Sequence, residues 1–417
     1  MNKIRVAFVC HFSNNNVRSQ LPLKNWRLRN GIFKSLKRPL WEYHDFAIWV
    51  DDFIKMFQKN LDIVDLYVIS PHKGLKKQTV SFVRDGINYH FYKTDGCLLY
   101  DLFCARTKWK ERNNYNAEGE LSYGIINNIK PDIICLCGAE TPDYGSVVFR
   151  VSNIPIYLIP QTLLNDPKRI EMKVASQYRV DFEKKVFAKV DYVSSKDEKI
   201  QAFAKLCNPN VRFLPLTFPS HQPQIFEVAK EYDYVFYANN VMKNKGIEDV
   251  LKALAIVKAY IPYVRLKVIG GCAPSYRAVL DGLINKLEID CNVEFTGKLA
   301  CINDVFLNVQ KAKAVVVPGI TAALNSTIRE SMFMHLPVVC YETPIIDTIN
   351  SDAHCLYAAK MGNVEDLAKQ MQKAACNDSE AYKIAEYGYK YALEHFSNDT
   401  IAEDLIRNCQ IIVDRNG

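Results

Sequence analysis

Residues 314–341 read AVVVPGITAALNSTIRESMFMHLPVVCY: two apolar strands bracketing a short helix that opens on the polar cluster Asn325-Ser326-Thr327. The β-branched run Val315-Val316-Val317 stops at Pro318-Gly319, and after a loop Ser326 or Thr327 is suited to cap a helix running through Met332. The first N–H groups of such a helix lack intrahelical acceptors and attract anions, so the arrangement suits a phosphate. The strand 337–341 follows too soon for a hairpin partner, which makes the unit β-loop-α-β with parallel strands. Glu330, one turn into the helix, is expected to face the same mouth.

The pattern recurs upstream. A strand over 233–240 leads through the turn Lys243-Asn244-Lys245-Gly246 into a helix whose apolar residues Ile247, Val250, Leu251, Leu254 and Val257 mark one buried face. The strand 265–269 ends at Gly270-Gly271 and the strand 292–295 at Thr296-Gly297. In an open parallel sheet ligands bind at the carboxyl edge, where these turns fall. The candidate ligand contacts are therefore Asn240, Lys243, Lys245, Gly246, Gly270, Gly271, Thr296, Gly297, Asn325, Ser326, Thr327 and Glu330.

The first half alternates strands and helices as well. Strands are expected at 4–11, 63–70, 132–137, 156–159, 192–194 and 212–214, with a helix over 45–58 and a hairpin, 80–84 and 87–92, turning at Asp85-Gly86. A chain of 417 residues with 49% hydrophobic content suits two domains with ample cores. Its 13 cysteines show no zinc-like spacing and read as reduced core thiols, Cys135 and Cys137 pointing to one face of a strand. No signal peptide and no apolar run of about 20 residues is present, so the expected location is cytoplasmic, with room for peripheral attachment to the inner face of the membrane. A formal net charge of +7 is too small for a general nucleic-acid binder.

The excess is local. Residues 17–41 hold seven Lys or Arg and no acid, with Trp26 and Phe33 interleaved among Arg27, Arg29, Lys34, Lys37 and Arg38. These are candidates to face an anionic membrane, against the plainer reading of a solvated basic loop.

Four elements from 233 to 396 together carry a resemblance. NVMKNKGIEDVLKAL (240–254), RLKVIGG (265–271), NVEFTG (292–297) and STIRESMFMHLPVVCYET (326–343) resemble, in order and spacing, the donor-domain motifs of family-4-type glycosyltransferases, the retaining GT-B enzymes also called glycosyl transferases group 1. INNIKPDIICLCGAE (126–140) and EKKVFAKVDYVSSKDE (183–198) resemble their acceptor domain more faintly. The resemblance implies an α/β fold of two Rossmann-like domains facing across a cleft: residues 1–216 for the acceptor, a linker at 217–232, residues 233–396 for a nucleotide sugar, and a tail helix, 397–417, packing back on the first domain. It implies transfer of a sugar from a nucleotide-diphosphate-sugar to a glycan or lipid-linked acceptor in surface polysaccharide synthesis, with retention and without a metal or other cofactor. Lys245 would stabilise the departing diphosphate and Glu330 would hold the ribose. His11, Glu140 and Gln161, each following a strand end, would meet the acceptor.

Two positions depart from the family pattern. A Glu expected eight residues before Glu330 falls on Ala322, and an Arg expected five before Lys245 falls on Asn240. A non-catalytic GT-B subunit, or a nucleotide-sugar epimerase, are the alternatives this leaves. Each site residue also has a plainer reading: His11 as a structural histidine, Glu140 as a cap for the helix starting near Pro142, Lys245 as a turn lysine, Glu330 as a solvated carboxylate.

Overall fold

The computed structural model describes residues 3–35, 43, 45–47, 49–171, 173–220, 222–299, 301–319 and 325–416. The chain divides at Pro219/Ser220 and at Ser397/Asn398: one unit is formed by the chain up to Pro219 together with the tail from Asn398, and the other by Ser220–Ser397.

The first unit has eight strands, β1 (Ile4–Val9), β2 (Val64–His72), β3 (Thr79–Arg84), β4 (Ile87–Lys93), β5 (Ile133–Cys137), β6 (Ile156–Ile159), β7 (Tyr192–Val193) and β8 (Arg212–Phe213), in the order β3-β4-β2-β1-β5-β6-β7-β8. All pair in parallel except the β3–β4 hairpin. Asp85 and Gly86 both take positive φ, 53° and 79°, as its two-residue turn requires. The helix anticipated from residue 45 begins at Trp49, because Phe46 is drawn into a backbone bridge with Ser13. The tail helix Asn398–Asn416 lies on the β1/β5 face, with Ile401, Leu405, Cys409 and Ile412 fully buried. Asn408 Nδ2 donates to Tyr157 Oη (3.1 Å) and to the Pro215 carbonyl (3.2 Å), while Cys409 Sγ lies 3.8 Å from Cys135 Sγ. Cys135 and Cys137 do share one face, and all 13 cysteines are free thiols.

The second unit is a six-stranded, fully parallel sheet, β9 (Tyr232–Asn240), β10 (Leu266–Gly271), β11 (Val293–Gly297), β12 (Ala312–Val317), β13 (Val338–Tyr341) and β14 (Tyr357–Ala359), in the order β11-β10-β9-β12-β13-β14. The helix Ile247–Lys258 buries the anticipated face, Ile247, Val250, Leu251, Leu254 and Val257.

In each sheet the strand order reverses beside the unit's first strand, between β1 and β5 and between β9 and β12. Loops leaving adjacent strands in opposite directions open a crevice there, the usual ligand position in a doubly wound sheet. No helix among the described residues is long and apolar enough to cross a membrane.

Candidate active site

In the second unit, β9 ends on exposed Asn239 and Asn240, and the chain turns through Lys243–Lys245, a single 3-10 turn, into Gly246. Gly246 holds φ +82°, closes the turn by donating to the Lys243 carbonyl (3.0 Å), and begins the Ile247 helix. A Cβ at this glycine would lie 2.9 Å from the Pro318 carbonyl carbon and closer still to its oxygen. The Lys243–Gly246 turn is thus packed directly on the end of β12, at the point where the strand order reverses. Lys243 is exposed and Lys245 half-buried.

Neighbouring strand ends complete the edge. Gly270, at φ +139°, passes too close to the Ala238 carbonyl for any side chain. A Cβ on Gly271 would sit 3.4 Å from Asn240 Oδ1 and 3.9 Å from Lys298 Cβ, which brings exposed Lys298 beside Asn240. Thr296 Oγ1 donates to backbone carbonyls at 3.1 Å (Gly297) and 3.4 Å (Val268), so this hydroxyl is engaged in shaping its own turn.

The helix after β12 spans Ser326–Phe333, and its cap is Asn325, whose Oδ1 accepts from Ile328 N–H at 2.9 Å. That corrects the expected Ser326 or Thr327 cap: all three residue types cap well, and the backbone turns extended at Asn325 (φ −81°, ψ 158°). One helix N–H is therefore already satisfied by Asn325, leaving exposed Ser326 and half-buried Thr327 at the mouth. Tyr237, on β9, pins this first turn: its Oη lies 3.0 Å from the Thr327 carbonyl, 3.1 Å from Ser331 Oγ and 3.4 Å from Glu330 Oε2. Burial and the Glu330 charge keep the Tyr237 phenol protonated. Arg329 is buried with its guanidinium 5.9 Å over the Phe396 ring, and burial lowers its pKa to about 10. Ala322 lies outside the described residues.

In the first unit the three anticipated acceptor residues sit on the carboxyl edge beside the other reversal point. Gly138, directly after β5 at φ +99°, is enclosed by the Tyr144 hydroxyl, Gln161 Nε2 (2.7 Å from a Cβ placed there) and Glu140 Oε2 (2.9 Å). Tyr144 Oη and Gln161 Nε2 both donate to the Cys137 carbonyl, at 2.8 and 2.9 Å. Glu140 is buried, its Oε2 has no hydrogen-bond partner among the described residues, and burial raises its pKa. It does not cap the next helix: Thr141 occupies the cap position of Pro142–Gly145, without a side-chain cap bond, and Glu140 Oε2 stands in the cluster around Gly138. The His11 ring stands edge-on to Phe46 at 4.6 Å and 6.2 Å from Tyr144. Burial, then the charges of Lys73 and His72, lower its pKa to about 4, so His11 is a neutral imidazole near pH 7.

The basic segment is only partly as expected. Arg27 and Lys34 are exposed and Trp26 is half-buried with its ring 6.0 Å from Tyr43, but Phe33 is buried at 8% exposure and cannot face lipid. The Arg29 side chain, Lys37 and Arg38 lie outside the described residues. Tyr144, Gly138, Tyr237 and Lys298 were missed by sequence reasoning. Their only signals were a glycine directly after a predicted strand and a lysine directly after Thr296-Gly297.

Residues 220–391 match the family model described as glycosyl transferases group 1. No curated protein compared with the chain matches it. Among solved structures, the sucrose-phosphate synthase of Thermosynechococcus elongatus is similar over 99% of this chain and 100% of its own, at 13% identity and a TM-score of 0.68. The E. coli trehalose-6-phosphate structure bound with UDP-2-fluoro glucose is similar over 97% and 98%, at 9% identity and 0.68. Anabaena HepE, in complex with UDP and glucose, is similar over 98% and 100%, at 12% identity and 0.60. The chain therefore has the GT-B fold, and nearly the whole of its second unit matches the glycosyl transferases group 1 model.

Proposed function

We propose that the protein transfers a sugar from a nucleotide-diphosphate-sugar to a hydroxyl of a glycan or lipid-linked acceptor, with retention, without a metal ion, in the synthesis of a surface polysaccharide. The observation that carries the reading is the Lys243–Gly246 turn seated on the Pro318 carbonyl, which sets two lysines and the start of a helix beside the strand reversal. Breaking the glycosidic bond loads negative charge onto the diphosphate. Lys245 and Lys243 supply cations for it, and the helix starting at Ser326 adds its N-terminal dipole. Lys298, beside Asn240, offers a cation near the position where the family pattern places an arginine. Glu330 bonds the ribose hydroxyls, and the Tyr237 contact limits its rotamers. The departing phosphate takes the acceptor proton on the same face, so no protein base is needed. This agrees with a neutral His11 and a Glu140 whose pKa is raised: both then serve as hydrogen-bonding groups toward acceptor hydroxyls. UDP is the first nucleotide to try, because it occupies similar structures. The protein is expected in the cytoplasm, at the inner face of the membrane where its acceptor is lipid-linked.

The test is incubation of the pure protein with labelled nucleotide sugars and a chelator. Nucleotide release with a product of retained anomeric configuration supports the reading. Release that requires an added metal, or an inverted product, overturns those parts of it, and no turnover of any nucleotide sugar overturns the whole.

A further inference from the structure

The helix Leu98–Thr107 and the turn after it hold apolar side chains in water: Leu99 is 77% exposed, Leu102 44%, Phe103 49% and Trp109 44%. Residues 99, 102, 103 and 106 fall on one helix face, and the Phe103 and Trp109 rings stand 5.8 Å apart. Patches of this kind on a folded unit mark interaction sites.

This exposure is not that of a frayed arm, for both ends of the helix are anchored. Lys24 Nζ donates to Asp95 Oδ2 (2.6 Å) and to the Gly96 carbonyl (2.9 Å), and Asp101 Oδ1 accepts from Gly96 N–H at 2.8 Å. Just beyond the helix, Lys110 pairs with buried Glu118 at 2.6 Å.

The rim of the patch is basic. Arg106, Lys108 and Arg112 are exposed on the helix and its turn. Lys76 and Lys77 are exposed in the β2–β3 connection, which is tied to the Lys24 segment by Lys76 N–H to the Pro22 carbonyl (3.0 Å). Of the acids nearby, Asp95 and Asp101 are held in the bonds just described, and Glu111 is half-buried.

We infer that this face docks on an anionic lipid bilayer. Leu99, Leu102, Phe103 and Trp109 enter the boundary between headgroups and acyl chains, and the surrounding Lys and Arg meet phosphate headgroups. Charge complementarity selects this occupant: protruding aliphatic and aromatic side chains flanked by exposed Arg106, Lys108 and Arg112 suit a negatively charged interface. The patch leaves the sheet at the carboxyl end of β4, the same edge that carries His11, Glu140 and Gln161. It also places the lipid contact on a different element from the 17–41 segment. The inference rests on the first unit's fold and not on the transferase reading.

The experiment is flotation of the full-length protein with phosphatidylcholine vesicles, with or without about one third phosphatidylglycerol. The protein is expected to float with the anionic vesicles and not with the neutral ones. A Leu99→Glu/Phe103→Glu variant should lose about tenfold or more in binding, and Arg106→Glu/Lys108→Glu should lose both binding and its salt dependence. A milder Leu99→Ser/Phe103→Ser pair, with an unchanged melting temperature, should show the same ordering. Wild-type protein that stays off anionic vesicles, or variants that float as wild type does, overturns the inference. So does a wild-type dimer without vesicle binding that Leu99→Glu/Phe103→Glu dissociates, since the occupant is then a second copy. Vesicle binding needs neither donor nor acceptor, so its outcome is independent of any transfer assay.

Discussion

Replacing Gly246 by alanine tests the central contact of the second unit. The residue sits at φ +82°, and a left-handed conformation costs a non-glycine residue about 1–2 kcal/mol. The new methyl would also stand 2.9 Å from the Pro318 carbonyl carbon and nearer to its oxygen, so backbone must give way; enforced overpacking of this kind adds about 1–3 kcal/mol. The expected loss is about 2–5 kcal/mol. Gly297 provides the control, because its φ is similar, +71°, but a Cβ there meets nothing within 4 Å among the described residues. Gly297→Ala should then show only the conformational part, about 1–2 kcal/mol. Urea unfolding separates the two: with a slope of about 2 kcal/mol per molar, the extra clash should move the midpoint of Gly246→Ala about 0.5–1.5 M below that of Gly297→Ala. The shift in Pro318 should also carry the turn lysines away from their ligand, weakening nucleotide binding about tenfold, or 1.4 kcal/mol. Equal midpoints for the two variants would refute the close approach of turn and strand end on which the site is built.

Other outcomes follow from the same geometry. Lys245→Ala should lower kcat/KM by about 30- to 1000-fold, the equivalent of 2–4 kcal/mol of transition-state stabilisation, and Glu330→Ala should weaken donor affinity; near-normal kinetics in both would defeat their assignment. Deleting the chain after Phe396 strips Ile401, Leu405, Cys409 and Ile412 from the β1/β5 face and should abolish cooperative unfolding of the first unit, whereas unchanged melting would contradict the packing. His11 has a folded pKa of about 4 against 6.5 unfolded, so the unfolded chain binds more protons between these values. Its contribution is fully present above pH 6.5 and falls away toward pH 4, by at most about 3 kcal/mol; a His11→Asn variant should lose that part of the stability slope, and an identical slope would show that His11 is not held neutral.

Much of this architecture was legible in the sequence, for reasons that differ by element. Apolar runs marked β9, β10, β12 and β13, because strands buried on both faces read as continuous apolar stretches, while the edge strand β11 was marked by its closing Thr296-Gly297. Asp85-Gly86 fixed the hairpin through its need for positive φ. The tail helix was visible from Ile401, Leu405 and Ile412. β14 escaped because three residues, Tyr357–Ala359, are too few for a periodic signal. The cap fell on Asn325 rather than Ser326 or Thr327 because three good caps stand in succession and only the backbone path chooses among them. Phe33 was misplaced because its burial depends on tertiary packing. Tyr144 and Tyr237 were invisible for a related reason: each acts through carbonyls or side chains supplied by another element. The apolar face at Leu99 was not noticed at all, since a helix with apolar residues on all sides resembles a buried one until its neighbours are known.

The central claim, that the carboxyl edge of the second unit binds a nucleoside diphosphate, is tested most directly by calorimetric titration of the pure protein with UDP, GDP and ADP in the presence of a chelator. The account predicts saturable binding of one of the three, weakened about tenfold or more by Lys245→Ala. Absence of binding for all three, or binding that Lys245→Ala leaves unchanged, would contradict it.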